Sequence, residues 1–340
     1  MSKRLTMADI GRLAGVSAST VSRALNNHPN IPRETRERIL EIARAHDYHL
    51  DTRAQNFRLR RSQTIATMFP YRGQSRRLFS DPFYLEITSA IIDALGDHDY
   101  DMVLARVPAD DADWCLRYAM NRRVDGLIII DRGVQDPGVD ELHRLGTDFV
   151  VWGPPLPGQV CVSVGCDSVT GALLALRHLV GLGRRRIGFI GGHGGMVETY
   201  LRRQGYEQGL REAGLPLDER LIIYTDFSPQ AGHAAMSELL AREPGLDAVF
   251  ACSDFMALAA MEVLRGHGRR VPADVSVVGY DDISLAAHCT PRLTTVRQQI
   301  QRGGQLMVSH LFDLMAGNPV ESMMLPVELV IRDSCGGASK

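Results

Sequence analysis

The chain has 340 residues, a formal net charge of −2 and 45% hydrophobic residues. That length suffices for a small domain followed by two domains of ordinary size. No uninterrupted apolar run of about 18 residues occurs, which excludes a transmembrane helix, and no signal peptide precedes the charged start. We therefore expect a cytoplasmic protein without a membrane partner.

Charge is distributed unevenly along the chain. Up to residue 61 there are 12 Lys and Arg against 6 Asp and Glu, a net +6, whereas the remainder carries 26 against 34, a net −8. A compact basic module is typical of a nucleic-acid contact, and the neutralisation of phosphates predicts binding that weakens steeply with salt.

Residues 6–26 predict two short helices joined by a glycine turn. Thr6 and Asp9 have the spacing of a capping box, which starts the first helix. We expect Gly15 to form the turn, because a side chain there would collide with the reversing chain. Ser17 is a good N-cap for the second helix, whose apolar face packs on the first.

Helix-turn-helix proteins place the second helix in the major groove, where residues near its N-terminus meet base edges. Polar residues here point outward, and Arg23 can pair bidentately with a guanine. Pro32 suits the first turn of a third helix that completes the core. Capped helix pairs also occur in proteins that bind no DNA, and a solvated linker is the alternative for the arginine-rich residues 53–61; their order at the N-terminus favours DNA binding.

From residue 63 onward, short apolar runs alternate with amphipathic stretches, which indicates parallel sheets covered by helices. The predicted strands are 64–69, 101–106, 124–130, 148–152, 186–191, 246–252 and 275–280. The predicted helices include 83–96, 168–182, 198–213, 229–241 and 255–266. The segment GPPLPGQV at 153–160 separates two such sets and is interpreted as a crossing between lobes.

Six cysteines are scattered through this region without a C-x-x-C pair: Cys115, Cys161, Cys166, Cys252, Cys289 and Cys335. The pattern predicts reduced core thiols rather than a metal site or a disulfide framework. We expect neither a metal nor a cofactor.

The segment through residue 61 resembles the headpiece of the lactose and galactose repressor (LacI/GalR) family of bacterial transcription regulators. TRAQNFRLRR, residues 52–61, falls where that family has a hinge helix that folds on DNA and drives a leucine between central base pairs. Phe57 stands where the leucine is usual, and apolar wedges of this kind kink the duplex. The resemblance implies base-reading roles for Ala18, Ser19, Arg23 and Phe57, and backbone contacts from Thr6, Ser17, Thr20, Ser22 and Asn26.

The segments SDPFYLEI, CDSVTGALLALRHLVGLGRRRIGFIGG and VSVVGYDDISLAAHCTPRLTTVRQ resemble the family's effector domain. The implied fold class is an all-α helix-turn-helix headpiece followed by an α/β periplasmic-binding-protein-like (type I) effector domain of two doubly wound lobes. The expected divisions are a headpiece at 1–50, a hinge helix at 51–61, an N-terminal lobe at 62–161 plus 293–324, and a C-terminal lobe at 162–292 plus 325–335.

Open parallel sheets bind ligands beyond the carboxyl ends of their strands, where loops from both lobes meet. That rule nominates residues that follow predicted strands: Asp81, Phe83, Trp152, Asp254, Phe255 and Asp281. Arg202 lies in the helix after RRIGFIGG, and by resemblance Arg202 and Asp281 match the family's ligand-binding arginine and aspartate. The alternatives are that Asp281 only caps a turn, that Arg202 pairs with a glutamate on its helix surface, and that Trp152 is core.

Carboxylates, a guanidinium and aromatic rings together suit a small sugar. A phosphorylated sugar is an alternative, given the arginines Arg76, Arg77 and Arg106. The glycines of GFIGGHGG, residues 188–195, lack the dinucleotide spacing, and no convergent acid, base and nucleophile is found, so we predict no enzyme and no catalytic residue.

The sequence thus predicts a ligand-responsive repressor that binds a pseudo-palindromic operator as a homodimer. The family's tetramers use a leucine-heptad tail that IRDSCGGASK lacks. A freestanding sugar receptor without DNA activity is the other alternative.

Overall fold

The computed structural model describes residues 5–25, 28–48, 62–71, 81–120 and 123–336. The chain divides into two compact units, residues 1–62 and residues 63–340. The expected hinge helix at 51–61, with Phe57, and the backbone contact Asn26 lie outside the described residues. Within the described part of the chain, no helix is both long and apolar enough to cross a membrane.

Three helices form the N-terminal unit: α1 (Met7–Ala14), α2 (Ala18–Leu25) and α3 (Arg33–Ala45). The predicted capping box is present, with the Thr6 amide donating to Asp9 Oδ2 at 2.9 Å and the Asp9 amide donating to Thr6 Oγ1 at 3.3 Å. The side chains of Ile10, Val21 and Ile39 are buried in a shared core. The sequence therefore specifies this unit with local signals and one small core.

The turn between α1 and α2 needs glycine for a reason other than the expected one. A Cβ at Gly15 would meet no atom within 4 Å, so the predicted collision is wrong. Its φ of +69° is a left-handed conformation that glycine adopts without steric cost. Close approach occurs instead at Gly11, where a Cβ would lie 2.7 Å from the carbonyl oxygen of Val16.

Residues 63–336 form two sheets flanked by helices. The strands of the first sheet are β1 (Thr64–Tyr71), β2 (Asp101–Pro108), β3 (Gly126–Ile129), β4 (Phe149–Trp152), β5 (Val162–Cys166) and β11 (Met323–Leu325). Those of the second are β6 (Ile187–Gly191), β7 (Ile222–Tyr224), β8 (Ala248–Ala251), β9 (Ser276–Asp281), β10 (Thr294–Arg297) and β12 (Glu328–Val330). The spatial orders are β11-β5-β4-β3-β1-β2 and β12-β10-β9-β8-β6-β7, with only β12 antiparallel among these strands.

Helices cover both sheets. They are α4 (Pro82–Gly96), α5 (Pro137–Arg144), α6 (Ser168–Gly181), α7 (Val197–Glu212), α8 (Pro229–Arg242), α9 (Asp254–Gly266), α10 (Ser284–His288) and α11 (Ile300–Met315). Shorter helical segments are Asp113–Cys115, Leu116–Met120, Glu219–Leu221 and Asp333–Cys335. The seven predicted strands and five predicted helices are all present, with ends shifted by a few residues. We call the first sheet with its helices the first lobe, and the second sheet with its helices the second lobe.

Two of the three crossings between the lobes lie at other places than those predicted. Residues 153–160 join β4 to β5 within one sheet, so their interpretation as a crossing is wrong. The first crossing follows Cys166, five residues beyond the expected boundary at 161. The second follows Arg297 instead of preceding residue 293. In both cases the strand next to the crossing, β5 or β10, was not among the predicted strands, because it is short and contains small or polar residues.

Helices α6 and α7 pack unusually closely through two glycines one turn apart. A Cβ at Gly205 would lie 2.3 Å from the carbonyl oxygen of Val169, and a Cβ at Gly209 would lie 2.4 Å from Leu176 Cβ. Helix α6 starts directly after the first crossing, so this contact fixes α7 relative to the crossing.

We expect Gly205→Ala to destabilise the protein by about 1–3 kcal/mol, because the added methyl group has to separate two packed backbones. The matched control is Gly181→Ala at the end of α6, where an added Cβ meets nothing within 4 Å. Urea denaturation of both variants measures the difference. Equal free energies of unfolding for the two variants would show that close packing of α6 against α7 at Gly205 does not stabilise the protein.

Candidate ligand cleft and nucleic-acid interface

A small cavity of about 20 Å³ is lined by residues of both lobes. Five of the predicted residues line it: Asp81, Phe83, Trp152, Arg202 and Asp281. Four further residues that were not predicted also line it: Asp131, Glu198, Phe227 and Ser253. Both lobes contribute, so a ligand in this cavity contacts both.

Arg202 is a buried cation, with 4% of its surface exposed. It donates to the carbonyl oxygen of Cys252 at 2.5 Å, and its guanidinium lies 3.7 Å from the centre of the Tyr280 ring. One of its nitrogens lies 3.9 Å from Asp281 Oδ1. The alternative that Arg202 pairs with a glutamate on an exposed helix surface is therefore wrong.

Asp281 ends β9 with its carboxylate held in place. Gln298 Nε2, from the second crossing, donates to Asp281 Oδ1 at 2.7 Å. Trp152 and Phe83 lie with ring centroids 6.2 Å apart and supply an aromatic wall from the first lobe. Asp81 caps α4 by accepting from the Phe83 amide at 3.1 Å. Carboxylates, a guanidinium and aromatic rings thus meet in one space.

Three cavity residues have left-handed backbone, with φ of +72° at Asp131, +66° at Phe227 and +118° at Asp281. Such conformations are uncommon for residues with a side chain and persist only where the surrounding structure enforces them. They occur most often at functional sites. The Phe227 ring occupies the space where a Cβ at Gly192 would lie, so this glycine admits the ring to the cavity wall.

The structure does not bring Asp254 and Phe255 to the cavity. The Asp254 carboxylate is fully buried beneath the strand ends, where it accepts from the Ile283 amide at 2.9 Å and from the Thr295 hydroxyl at 2.5 Å. Burial, followed by the charge of Asp281, raises its pKa well above the usual range. Ser253 caps α9 and faces the cavity instead, because the chain turns into the helix at this residue.

The N-terminal part of α2 presents an exposed polar surface. Ala18, Ser19 and Arg23 are exposed, as a base-reading face requires. Ser17 Oγ accepts from the Thr20 amide at 3.2 Å, which confirms Ser17 as the N-cap. The other predicted backbone contacts, Thr6 and Ser22, are exposed and half-buried respectively. Helix N-termini favour phosphate oxygens in general, and contact of these residues with the DNA backbone stays a prediction.

Comparison with known proteins decides the family. Residues 6–51 match the model for bacterial regulatory proteins of the lacI family, and residues 176–335 match the periplasmic binding protein-like domain. The chain is 37% identical over 337 residues to the HTH-type transcriptional regulator CelR of Thermobifida fusca, covering 98% of each protein. The chain belongs to the LacI family of bacterial transcription regulators. The family consists of regulators, which sets aside the enzyme alternative.

Other LacI-family relatives cover the same length. The transcriptional repressor CytR of Escherichia coli (strain K12) is 32% identical over 334 residues, covering 97% of this chain and 96% of CytR. The solved CelR–cellobiose complex is 36% identical with a TM-score of 0.74, covering 97% of this chain and 100% of that one. The Lac repressor dimer bound to operator and the anti-inducer ONPF is 27% identical with a TM-score of 0.85, covering 98% and 99%.

Sequence analysis of this LacI-family chain did not predict Glu198 as a cavity residue, because Glu198 lies in the first turn of α7 and follows no strand. Only 6% of its surface is exposed, and neither carboxylate oxygen has a hydrogen-bond partner among the described residues. Burial, followed by the charge of Asp131, raises its pKa to about 7. Its position four residues before Arg202 puts both on one helix face, and this spacing was the available signal.

We expect the stability of Glu198→Gln relative to the natural protein to depend on pH. Because the pKa of Glu198 is raised on folding, its stabilising contribution is complete below its usual pKa near 4.5 and is lost as pH rises through about 7. The advantage of the variant should therefore grow by about 2 kcal/mol between pH 5 and pH 8.

Urea denaturation at both pH values measures this difference. Glu212→Gln, which alters an exposed carboxylate on the same helix that pairs with Arg177, is the control and should show a constant offset. A constant offset for Glu198→Gln as well would mean that its carboxyl group titrates normally.

Proposed function

We propose that this LacI-family regulator represses transcription by binding a pseudo-palindromic operator as a homodimer, and that a small neutral carbohydrate in the cleft controls this binding. The observation that carries the proposal is the set of groups in the cavity. Their number, sign and burial fit adjacent hydroxyl groups better than any other common ligand chemistry.

Hydroxyl groups match this cavity in both hydrogen-bonding directions. Carboxylates of Asp81, Asp131 and Asp281 accept hydrogen bonds from a polyol, and the Arg202 guanidinium donates to its oxygens. Aromatic side chains cover the apolar face of a sugar ring. Buried groups of this kind are costly to leave unpaired, so the cavity should discriminate strongly among sugars.

The charge of the cavity argues against a phosphorylated sugar. Carboxylates outnumber the single lining guanidinium, that of Arg202, among the described residues. Arg106, one of the arginines that suggested a phosphate, is exposed on β2, where its guanidinium lies 4.7 Å from the centre of the Tyr71 ring. The other two, Arg76 and Arg77, lie outside the described residues. The solved complex of the relative CelR contains cellobiose, which makes cellobiose the first sugar to try.

Two features support a dimer on DNA. Strand β2 ends the order of the first sheet, and it exposes Val103 and Leu104, each with 41% of its surface accessible. Helix α4 exposes Leu85 and Ile92 in the same lobe. An apolar sheet edge normally requires a cover, and the similar Lac repressor was solved as a dimer on operator. Protein two-fold symmetry then matches two half-sites.

The proposed switch is an exchange of free energy between the cleft and the hinge segment at 51–61. Ligand binding alters how the lobes close, and lobe closure alters how readily paired hinge segments order on the minor groove. Phe57 is proposed as the apolar wedge in that groove. Such a regulator works in the cytoplasm, where its DNA is. A freestanding sugar receptor would not need the helix-turn-helix headpiece, so we do not favour that alternative.

Arg23→Ala should lower affinity for the selected operator by roughly tenfold or more, since a bidentate arginine–guanine pair contributes about 1–3 kcal/mol of discrimination. Affinity for random duplex should fall much less. Fluorescence anisotropy of the full chain on an operator selected from random duplexes measures both. The control is Arg44→Ala, in the last turn of α3, which should leave the ratio unchanged. An equal loss on both duplexes would reassign Arg23 to phosphate.

Arg202→Lys should weaken binding of the responding sugar by roughly tenfold or more, because an ammonium cannot reproduce the planar donor fork. Operator binding without sugar should remain. The matched control is Arg203→Lys, because Arg203 faces away and pairs with Glu207 and Glu219. Calorimetry with cellobiose and other neutral disaccharides gives the affinities. An unaltered response in Arg202→Lys would refute the cleft assignment.

A further inference from the structure

Backbone hydrogen bonds join the two lobes directly beside the cavity. The Val134 amide donates to the carbonyl oxygen of Gly195 at 2.9 Å, and the Val197 amide donates to that of Arg132 at 3.3 Å. Gly133 and Met196 form an antiparallel bridge between them. We call residues 132–134 and 195–197 the clasp. One half follows β3 of the first sheet, and the other precedes α7 of the second lobe.

The clasp brings two carboxylates from opposite lobes into one cavity. Asp131 immediately precedes one half of the clasp, and Glu198 immediately follows the other, so neither can leave the cavity while the clasp is formed. The Tyr84 hydroxyl donates to Asp131 Oδ2. Glu198 has no such partner on either oxygen among the described residues. Two like charges in a space shielded from water repel strongly.

Room for the Glu198 carboxylate comes from a glycine of the first lobe. A Cβ at Gly153 would lie 3.1 Å from Glu198 Oε1, and its φ of +143° is one that residues with side chains rarely adopt. The carboxylate thus fits against bare backbone, and no group of the described residues lies in position to donate a hydrogen bond to it. An unpartnered buried acceptor aimed into a ligand cavity is complete only when the ligand supplies the donor.

The charges that surround Glu198 come from every neighbouring element. Arg202 lies one turn along α7, and Arg132 follows Asp131 in the first lobe. Asp81 at the start of α4 and Asp281 at the end of β9 line the same cavity. Arg132 is directed elsewhere, donating to Gln159 Oε1 at 2.8 Å and to the carbonyl oxygen of Pro154 at 3.3 Å. The charges of Arg202 and Arg132 offset part of the repulsion between Glu198 and Asp131, and burial remains the largest influence on the Glu198 carboxyl group.

We propose that repulsion within the Asp131–Glu198 pair weakens the clasp, that a ligand donating hydroxyl hydrogen bonds to both carboxylates strengthens it, and that Glu198 is thereby the residue that selects neutral polyols and rejects anionic sugars. A neutral sugar relieves the repulsion by donating to both groups. A sugar with a carboxylate or phosphate group adds a third negative charge and weakens the clasp further. Rejection by unpaired like charge is a general means of specificity. This inference rests on the proposed sugar effector only in what it says about ligand selection.

Hydrogen exchange at the clasp tests the pair without any ligand. Mass spectrometry of the full chain at pH 8 follows peptides that cover residues 131–136 and 194–199. In Glu198→Gln the repulsion is gone, so we expect exchange at least tenfold slower than in the natural protein. Glu212→Gln, on the same helix, is the matched control and should behave as the natural protein does. Equal exchange in Glu198→Gln and the natural protein would overturn the proposal. If Glu198→Gln does not fold, Asp131→Asn removes the other carboxylate and should slow exchange in the same way.

The ligand arm compares cellobiose with cellobionate, its singly charged aldonic acid, by calorimetry. We expect the natural protein to bind cellobiose far more tightly, and Glu198→Gln to narrow the ratio of the two dissociation constants at least tenfold. An unchanged ratio would overturn the selecting role of Glu198. If neither cellobiose nor any other neutral disaccharide binds the natural protein, the proposed carbohydrate effector fails, while the ligand-free exchange still decides whether the carboxylate pair controls the clasp.

Discussion

Burial of charge between the two sheets is the constraint on which the rest of this structure depends. A guanidinium and several carboxylates taken out of water cost several kcal/mol per ion unless each finds partners. Arg202 finds partners in the Cys252 carbonyl, the Tyr280 ring and Asp281, although its Nε has no hydrogen-bond partner among the described residues. Among the carboxylates that line the cavity, Glu198 has no hydrogen-bond partner on either oxygen within the described residues, so the network there is incomplete. This deficit supports the proposals that a ligand supplies the missing donors and that its binding site also serves as the switch.

The helices behind the cleft determine whether those charges converge. Helix α7 carries both Glu198 and Arg202, and its glycines at 205 and 209 seat it against α6. Helix α6 begins where the chain crosses from the first sheet and packs near β10, which leads into the second crossing. Closely packed elements thus connect the cleft to both crossings. Packed interfaces of this kind adopt discrete arrangements and do not deform continuously, which suits a two-state response.

Sequence reasoning succeeded where the signal was local or followed the strand-end rule. The capping box, the N-cap at Ser17 and the strand-end residues Asp81, Trp152 and Asp281 could be found in this way. It failed at Asp254, because a residue one position into a helix is carried beneath the sheet. It also missed Glu198, because a helix start that reaches a cleft depends on how the lobes meet. Apolar patterning predicted long strands, yet the short strand β5 contains Ser163 and Gly165. A Cβ at Gly165 would overlap the backbone of Gly153, so close packing explains the glycine and the misplaced boundary.

Regulation requires a free energy that is small beside the cost of burying the charges of the cleft. The basic N-terminal part of the chain carries +6, whereas the remainder carries −8 and repels phosphates, so affinity for DNA has to come from the headpiece and hinge segment. Allosteric coupling typically amounts to about 1–3 kcal/mol, which is comparable to the effect of ionising one buried carboxyl group whose pKa is raised to about 7. Under the proposed function, a neutral molecule therefore suffices to switch a charged DNA interface without contributing charge of its own. In that proposal, a few ligand hydroxyl groups determine how strongly the carboxylates of Asp131 and Glu198 repel each other.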